Sequence, residues 1–304
     1  MSKNNEIYAK VFESVIAEME QGRAPWAKPW RSEGGAMPYN AITGRRYSGG
    51  NVVALWFSGM AYSSNAWLTF KQAIGASCVV RKGEKGTHVY YMSVAKRGAK
   101  DEGGEEKEQR FFFAKSFTVF NVDQLEELEE GALAKLKAKH TVAITTTDHE
   151  RNETADAMVA ATGATIRHGG DVACFIPALD VVKMPNLSDF DRPDSYYSTL
   201  FHELTHWTGH ESRLNRITPA KFGSSEYAFE ELVAELGASF LGATFSYDTI
   251  TQNAAYLRHW AKKCRETPDL LARAASLASR AVEFLAGDAT ADAAGEESPD
   301  AVAA

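Results

Sequence analysis

Residues 196–216 read YYSTLFHELTHWTGHESRLNR, and within them His202-Glu203-Leu204-Thr205-His206 forms an H-E-x-x-H pattern. On an α-helix, positions four apart lie one turn apart on the same face, so both imidazoles can point at one ion. Glu203 lies beside them, where its carboxylate can take a proton from a water and later return it to a leaving group. Two histidines decorating a wet helix would not need Tyr196, Tyr197, Leu200, Phe201, Leu204 and Trp207 around them. The spacing therefore predicts a metal-dependent hydrolytic centre on a buried helix.

Such a centre takes three protein ligands and keeps one position open. The segment 226–242, EYAFEELVAELGASFLG, is the best source of the third. Phe229, Leu232, Val233, Leu236 and Phe240 make its apolar stripe, and Glu231 and Glu235 share the other side with Ala234 and Ala238, small enough for close helix approach. Glu231 is assigned as the third ligand and Glu235 as an acceptor that holds a ligand histidine. His210 is the rival ligand, since it continues the four-residue series after His206, unless the helix breaks at Gly209. Glu230 points about 100° away from Glu231 and is expected to face solvent. Zn2+ is the default ion for a His2Glu set, and Mn2+ or another divalent ion also suits a carboxylate-containing site. Before this helix, DVVKMP (180–185) is expected to form a cleft edge on which an extended peptide could pair.

Around this centre the chain is ordinary in bulk: 304 residues, 44% hydrophobic and 24% charged, which suits about two domains. Cys78, Cys174 and Cys264 are scattered and form no C-x-x-C pair, which points to a reducing compartment, the cytoplasm. The first 22 residues are amphipathic and charged, unlike a secretory leader, and no apolar run is long enough to span a membrane. The net charge of −7 is uneven. Residues 1–97 carry 13 Lys+Arg against 6 Asp+Glu, and the rest carry 20 against 34. A positive first part and a negative second part suggest that only the first meets a polyanion.

Periodicity and turn residues organise the rest. A helix over 4–21 carries Ile7, Val11, Phe12, Val15, Ile16 and Met19 on one stripe and ends at Gly22. Strands are expected around Val89 and Phe113, separated by an exposed polar excursion, KRGAKDEGGEEKEQR (96–110). Asp123 is expected to cap a helix, QLEELEEGALAKLKAKH (124–140). Domain boundaries are placed at 1–125, a linker helix at 126–142, a second domain at 143–286 and a disordered acidic tail at 287–304. In the second domain, Gly169-Gly170 reads as a hairpin turn. Further helices are expected around 195–210, 225–243, 251–265 and 268–286.

The basic first part also holds Trp26, Trp30, Trp56 and Trp67, four of the six tryptophans. Aromatic platforms among cations are what single-stranded DNA requires, because splayed bases stack while the cations track phosphates. Trp56, Trp67 and Phe70 read as core. Arg45, Arg46 and Tyr47, beside Gly44 and Gly49-Gly50, lead the DNA-contact candidates, followed by Trp30 and by Lys82 and Lys85 in the turn RKGEKG (81–86).

Several motifs agree in order with one family. Trp26 with Pro29-Trp30, N-x-x-T-G-x-x-Y-x-G-x-N from Asn40 to Asn51, and V-x-K-G-E-K-G from Val80 to Gly86 are joined by HELTHWTGHESRLNR and FEELVAELGA further on. Over about residues 5–285 the chain resembles the ArdC family of plasmid antirestriction proteins, and its first part is also similar to a module of some plasmid primases. The resemblance implies an α+β protein of two domains: a small mixed domain that binds single-stranded DNA, then a zincin-like metallopeptidase domain. It further implies protection of incoming plasmid DNA from host restriction, with His202, Glu203, His206 and a downstream glutamate as the metal and catalytic set. Two other readings fit the residues. One is a DNA-coating protein with a structural or vestigial metal site, and the other a host-directed metalloprotease that docks a protein or peptide partner.

Overall fold

The computed structural model describes residues 3–24, 37–100, 106–138, 153–218, 220–221, 223–245, 247 and 254–286. Trp26, Trp30 and the segment 287–304 lie outside them. The fold mixes helices and sheets, as an α+β chain should. No helix among the described residues is long and apolar enough to cross a membrane.

The first helix, α1 (Lys3–Glu20), carries the expected stripe, with Phe12, Val15, Ile16 and Met19 buried. Gly22, at φ 75°, takes the left-handed position that ends it, its N–H bonded to the Met19 carbonyl at 2.9 Å. Then come β1 (Tyr39–Asn40), α2 (Gly50–Ser58), β2 (Ala66–Thr69), α3 (Phe70–Gly75) and β3 (Cys78–Val80). The motif from Asn40 to Asn51 is largely a folding device. Asn40 Oδ1 accepts the N–H groups of Ile42 and Thr43 at 3.0 and 3.1 Å, closing a tight turn. Asn51 bonds both the carbonyl and the N–H of Tyr90, at 2.7 and 2.9 Å, as a neighbouring strand would. Gly50 admits the Phe12 ring: a Cβ there would lie 2.4 Å from it.

The long hairpin of β4 (Thr87–Lys100) and β5 (Glu106–Asn121) completes a sheet of order β1-β2-β5-β4. Pairing continues out to Lys100 and Glu106, so much of the expected polar excursion is ladder instead. Trp56 and Trp67 are buried as expected, but Phe70 is 52% exposed. The single helix expected from 124 also gives way. Leu125–Glu127 forms β6, paired with β3, and among the described residues the helix α4 begins only at Ala132 and covers Ala132–Ala138. Leu125, 2% exposed, gains a strand partner and a core position there, which outweighs helix propensity. Asp123 caps no helix; it accepts from Ser63 and Ser64 and pairs with Lys137 at 2.7 Å.

The second part opens with α5 (Glu153–Ala161) and three short strands, β7 (Thr165–His168), β8 (Cys174–Ile176) and β9 (Val181–Met184). Their order is β7-β9-β8, with β7 parallel and β8 antiparallel to β9. The expected hairpin across Gly169-Gly170 is therefore absent. The most buried strand, β9, takes the centre with Val181, Val182 and Met184 in the core, and the edge available to a peptide is β8 or β7, not the segment 180–185. Four helices follow: α6 (Pro193–Thr208), α7 (Ser225–Phe245), α8 (Ala254–Glu266) and α9 (Leu270–Ala286). One hydrophobic core joins α1 and α2 to α6–α9; Trp56 of α2 packs edge-on to Phe240 of α7, centroids 5.5 Å apart.

Candidate metal centre

Pro193 at the first turn starts α6 with its φ already helical, and Gly209 ends it, its N–H returning to the His206 carbonyl at 2.8 Å. A side chain at Gly209 would collide with Ile217 at 2.7 Å, so the chain must turn back there. The break carries His210 off the helix axis. Its Nδ1 contacts Ser212 Oγ at 2.8 Å, its ring sits edge-on to Phe175 of β8, and it does not join His202 and His206.

Across from α6, α7 brings three glutamates to the histidines. His202 and His206 Nε2 atoms lie 3.1 Å apart. Glu231 offers one carboxylate oxygen to each, both at 3.6 Å, and one donor atom from each of the three residues falls within 4.8 Å of the others. Donors about 2.05 Å from a common tetrahedral ion stand about 3.3 Å apart, so this triangle is the right size for a small divalent ion. The outer ring nitrogens are also occupied: Glu235 lies 3.3 Å from His202 Nδ1, and Glu230 lies 3.1 Å from His206 Nδ1. With Nδ1–H donating to a carboxylate, each Nε2 lone pair is directed at the shared point.

Electrostatics make the same demand. Burial opposes a charge on His202, but its hydrogen bonds to the Glu231 and Glu235 carboxylates and the nearby negative charges outweigh it and push the imidazole up to about 10. Burial likewise opposes charge on Glu231, yet His202, His206 and the Tyr227 hydroxyl hold its carboxyl below the usual range. A cluster of carboxylates that holds positive charge this firmly suits a cation.

Glu203, 8% exposed, faces β8, where its Oε2 accepts the Phe175 N–H at 2.7 Å. Glu230 was expected in solvent and is turned inward instead, its side chain 16% exposed. It takes two bonds from Arg216, at 2.8 and 2.9 Å, besides that from His206, and Arg216 is itself only 6% exposed. Arg216 also binds the Thr205 carbonyl at 2.6 Å, tying the loop after α6 to the helix. Glu230, Arg216 and Tyr227 were missed in the sequence. The signal available was Arg216, ten residues beyond His206 in a loop rich in polar residues.

The DNA-contact candidates are separate from this centre. Arg46 is exposed and Arg45 half-exposed on the loop between β1 and α2, and Lys82 and Lys85 are exposed in the turn before β4. Tyr47 packs against two core clusters, and burial pushes its hydroxyl up to about 12.

Comparison with known proteins follows this division. Residues 5–120 match the N-terminal domain of anti-restriction factor ArdC, and residues 153–277 match the zincin-like metallopeptidase family. A DNA primase TraC of Escherichia coli is 36% identical over 91% of this chain, which spans only 27% of that primase's length. The crystal structure of metal-free ArdC from plasmid R388 is 36% identical, with a TM-score of 0.75, covering 95% of this chain and 99% of that one. The Mn(II)-bound structure of the same protein is 34% identical, with a TM-score of 0.73 and the same coverage. The chain belongs to the ArdC family of antirestriction proteins.

Proposed function

We propose that this chain protects incoming plasmid DNA from restriction in the cytoplasm, binding single-stranded DNA through its first part and carrying a divalent-metal peptidase centre in its second. The observation that carries the reading is the convergence of His202, His206 and Glu231 beside Glu203, in a chain whose other half matches the ArdC N-terminal domain. His202, His206 and Glu231 would hold the ion, and the Mn(II)-bound relative supports a divalent metal, with Zn2+ and Mn2+ the two to test. Once bound, the ion supplies the Lewis acidity that polarises a carbonyl.

The chain's own groups do the rest. Glu235 and Glu230 orient the two imidazoles through Nδ1. Glu203, buried against the edge strand β8, takes the proton of an attacking water and returns it to the leaving amine of a peptide. Its bond to the Phe175 N–H keeps the carboxylate turned toward that strand, where an extended peptide would lie.

The test is entry of a plasmid with unmodified restriction sites into a restricting host that expresses the chain, alongside peptide cleavage by purified protein with Zn2+ or Mn2+. Wild type should protect the plasmid and cleave, and Glu203→Gln should abolish cleavage while keeping ion and DNA binding. No protection by wild type would overturn the reading. Full protection by Glu203→Gln would leave DNA coating as the function and the peptidase step outside it.

A further inference from the structure

Phe70 is the most exposed aromatic ring among the described residues, at a position where the sequence pattern expects core. It is 52% exposed at the start of α3, and Ile74, one turn on, is 46% exposed. Phe120 of β5 stands beside it, ring centroids 6.5 Å apart at 65°. Phe120 is half-buried, and its neighbours on β5 fix the face it takes. Val119 turns to the opposite face, into the cluster of Leu55, Trp67 and Val89, so Phe120 must point the other way, with exposed Thr118 on its side.

The turn RKGEKG lies against Phe120 and Thr118. A Cβ at Gly86 would sit 3.0 Å from the Phe120 ring and 2.3 Å from Thr118, so the turn passes over them as bare backbone. It is pinned by Gln124, whose Nε2 bonds the Lys85 carbonyl at 2.9 Å and Glu84 at 3.1 Å. Glu84 is in turn paired with Arg81 at 2.7 Å, so the turn's only acid is neutralised within the turn. Lys82 and Lys85 stay exposed, no carboxylate among the described residues pairs with either, and Lys71 follows Phe70 on α3. An exposed ring on α3 backed by a half-buried one on the sheet, bordered by cations whose acidic neighbour is already paired, suits unpaired bases with their phosphates.

We infer that Phe70 and Phe120 form the base-stacking platform for single-stranded nucleic acid, with Lys82 and Lys85 on its backbone. This rests on the DNA-binding half of the proposed function and deepens it by naming the rings that meet the bases. The test is fluorescence anisotropy of labelled oligo(dT) and of a labelled duplex with the full-length chain, across a salt series. Phe70→Ala should weaken oligo(dT) binding about 5- to 100-fold with the salt slope unchanged, since stacking carries no counterion release. Phe70→Trp should bind within about threefold of wild type, because an aromatic face is restored. Lys82→Gln with Lys85→Gln should weaken binding and flatten the slope by about 1.4, or 0.7 per phosphate contact. Phe70 is exposed, so an unchanged melting temperature will separate lost contact from lost fold. Wild-type affinity in a folded Phe70→Ala protein overturns the platform and leaves DNA binding standing. No binding of oligo(dT) by wild type overturns both, and points to a protein partner for this face.

Discussion

Glu230 links His206 to Arg216, so one carboxylate orients an imidazole and neutralises a nearly buried guanidinium. Burial works against its charge, but His206 and Arg216 outweigh it and keep the carboxyl below the usual range. Glu230→Gln keeps the size and one acceptor oxygen but removes the charge. Zn2+ affinity should fall about 10- to 100-fold, as when other carboxylates behind metal-bound histidines are lost. Competition against a chromophoric chelator measures this, and an unchanged Kd would mean that Glu230 serves only Arg216. The meeting of His202 and His206 was legible because one helical repeat fixes their offset, and that of Glu231 because the alanines beside it let α7 approach. Glu230 was not, because the residue that draws it inward, Arg216, comes from a loop whose path depends on the turn at Gly209. Phe70 was misread for a related reason. A bulky ring beside buried Leu68 reads as core, and only the start of α3 at Phe70 turns it outward.

At the scale of elements, the centre depends on how closely α6 and α7 approach. The tightest point among the described glycines of α7 is Gly237, where a Cβ would fall 2.5 Å from Thr205 Oγ1 and Cγ2 and 3.1 Å from its Cβ. Thr205 cannot swing away without losing its bond to the Phe201 carbonyl at 2.7 Å. Gly237→Ala gains about 1 kcal/mol of helix propensity, but overpacking costs about 1–3 kcal/mol. The two helices would also be forced apart between the histidine pair and the glutamates. Lower stability and weaker Zn2+ binding should therefore appear together in thermal melts with and without metal. Gly75→Ala is the contrast, since a Cβ there meets no atom within 4 Å and should not lower stability. The long helices α1, α6, α7, α8 and α9 were readable from the sequence within a few residues because each buries a long apolar stripe, whereas α2 was not read and α4 was placed eight residues too early. The strands β3, β6, β7, β8 and β9 are three or four residues long, too short for a period of two to show. Their pairing follows from burial: Leu125 and Val182 take interior places that local pattern does not reveal.

At the scale of the molecule, the two family matches meet in one hydrophobic core. Phe12, Met19 and Trp56 of the first part lie in the same cluster as Leu232, Phe240, Trp260 and Leu271 of the second. The Gly49 N–H donates to Ser279 Oγ at 2.9 Å, and Arg265 of α8 reaches Glu13 and Glu20 of α1 at 2.8 and 2.9 Å. The exposed ion pairs contribute little alone, whereas removing a buried aromatic costs about 3–5 kcal/mol. Stability should thus be shared between the halves, and a fragment ending near residue 125 would expose the inner faces of α1 and α2. The consequence is measurable by calorimetry. Zn2+ at 100 times its Kd stabilises the folded state by about 2.7 kcal/mol. Because the core is continuous, that gain should raise a single unfolding transition that includes the first part. Trp56→Ala, far in sequence from the histidines, should lower the same transition with and without metal. Two separate transitions, with only the second moved by Zn2+, would show that the halves fold independently and that the shared core transmits nothing between them.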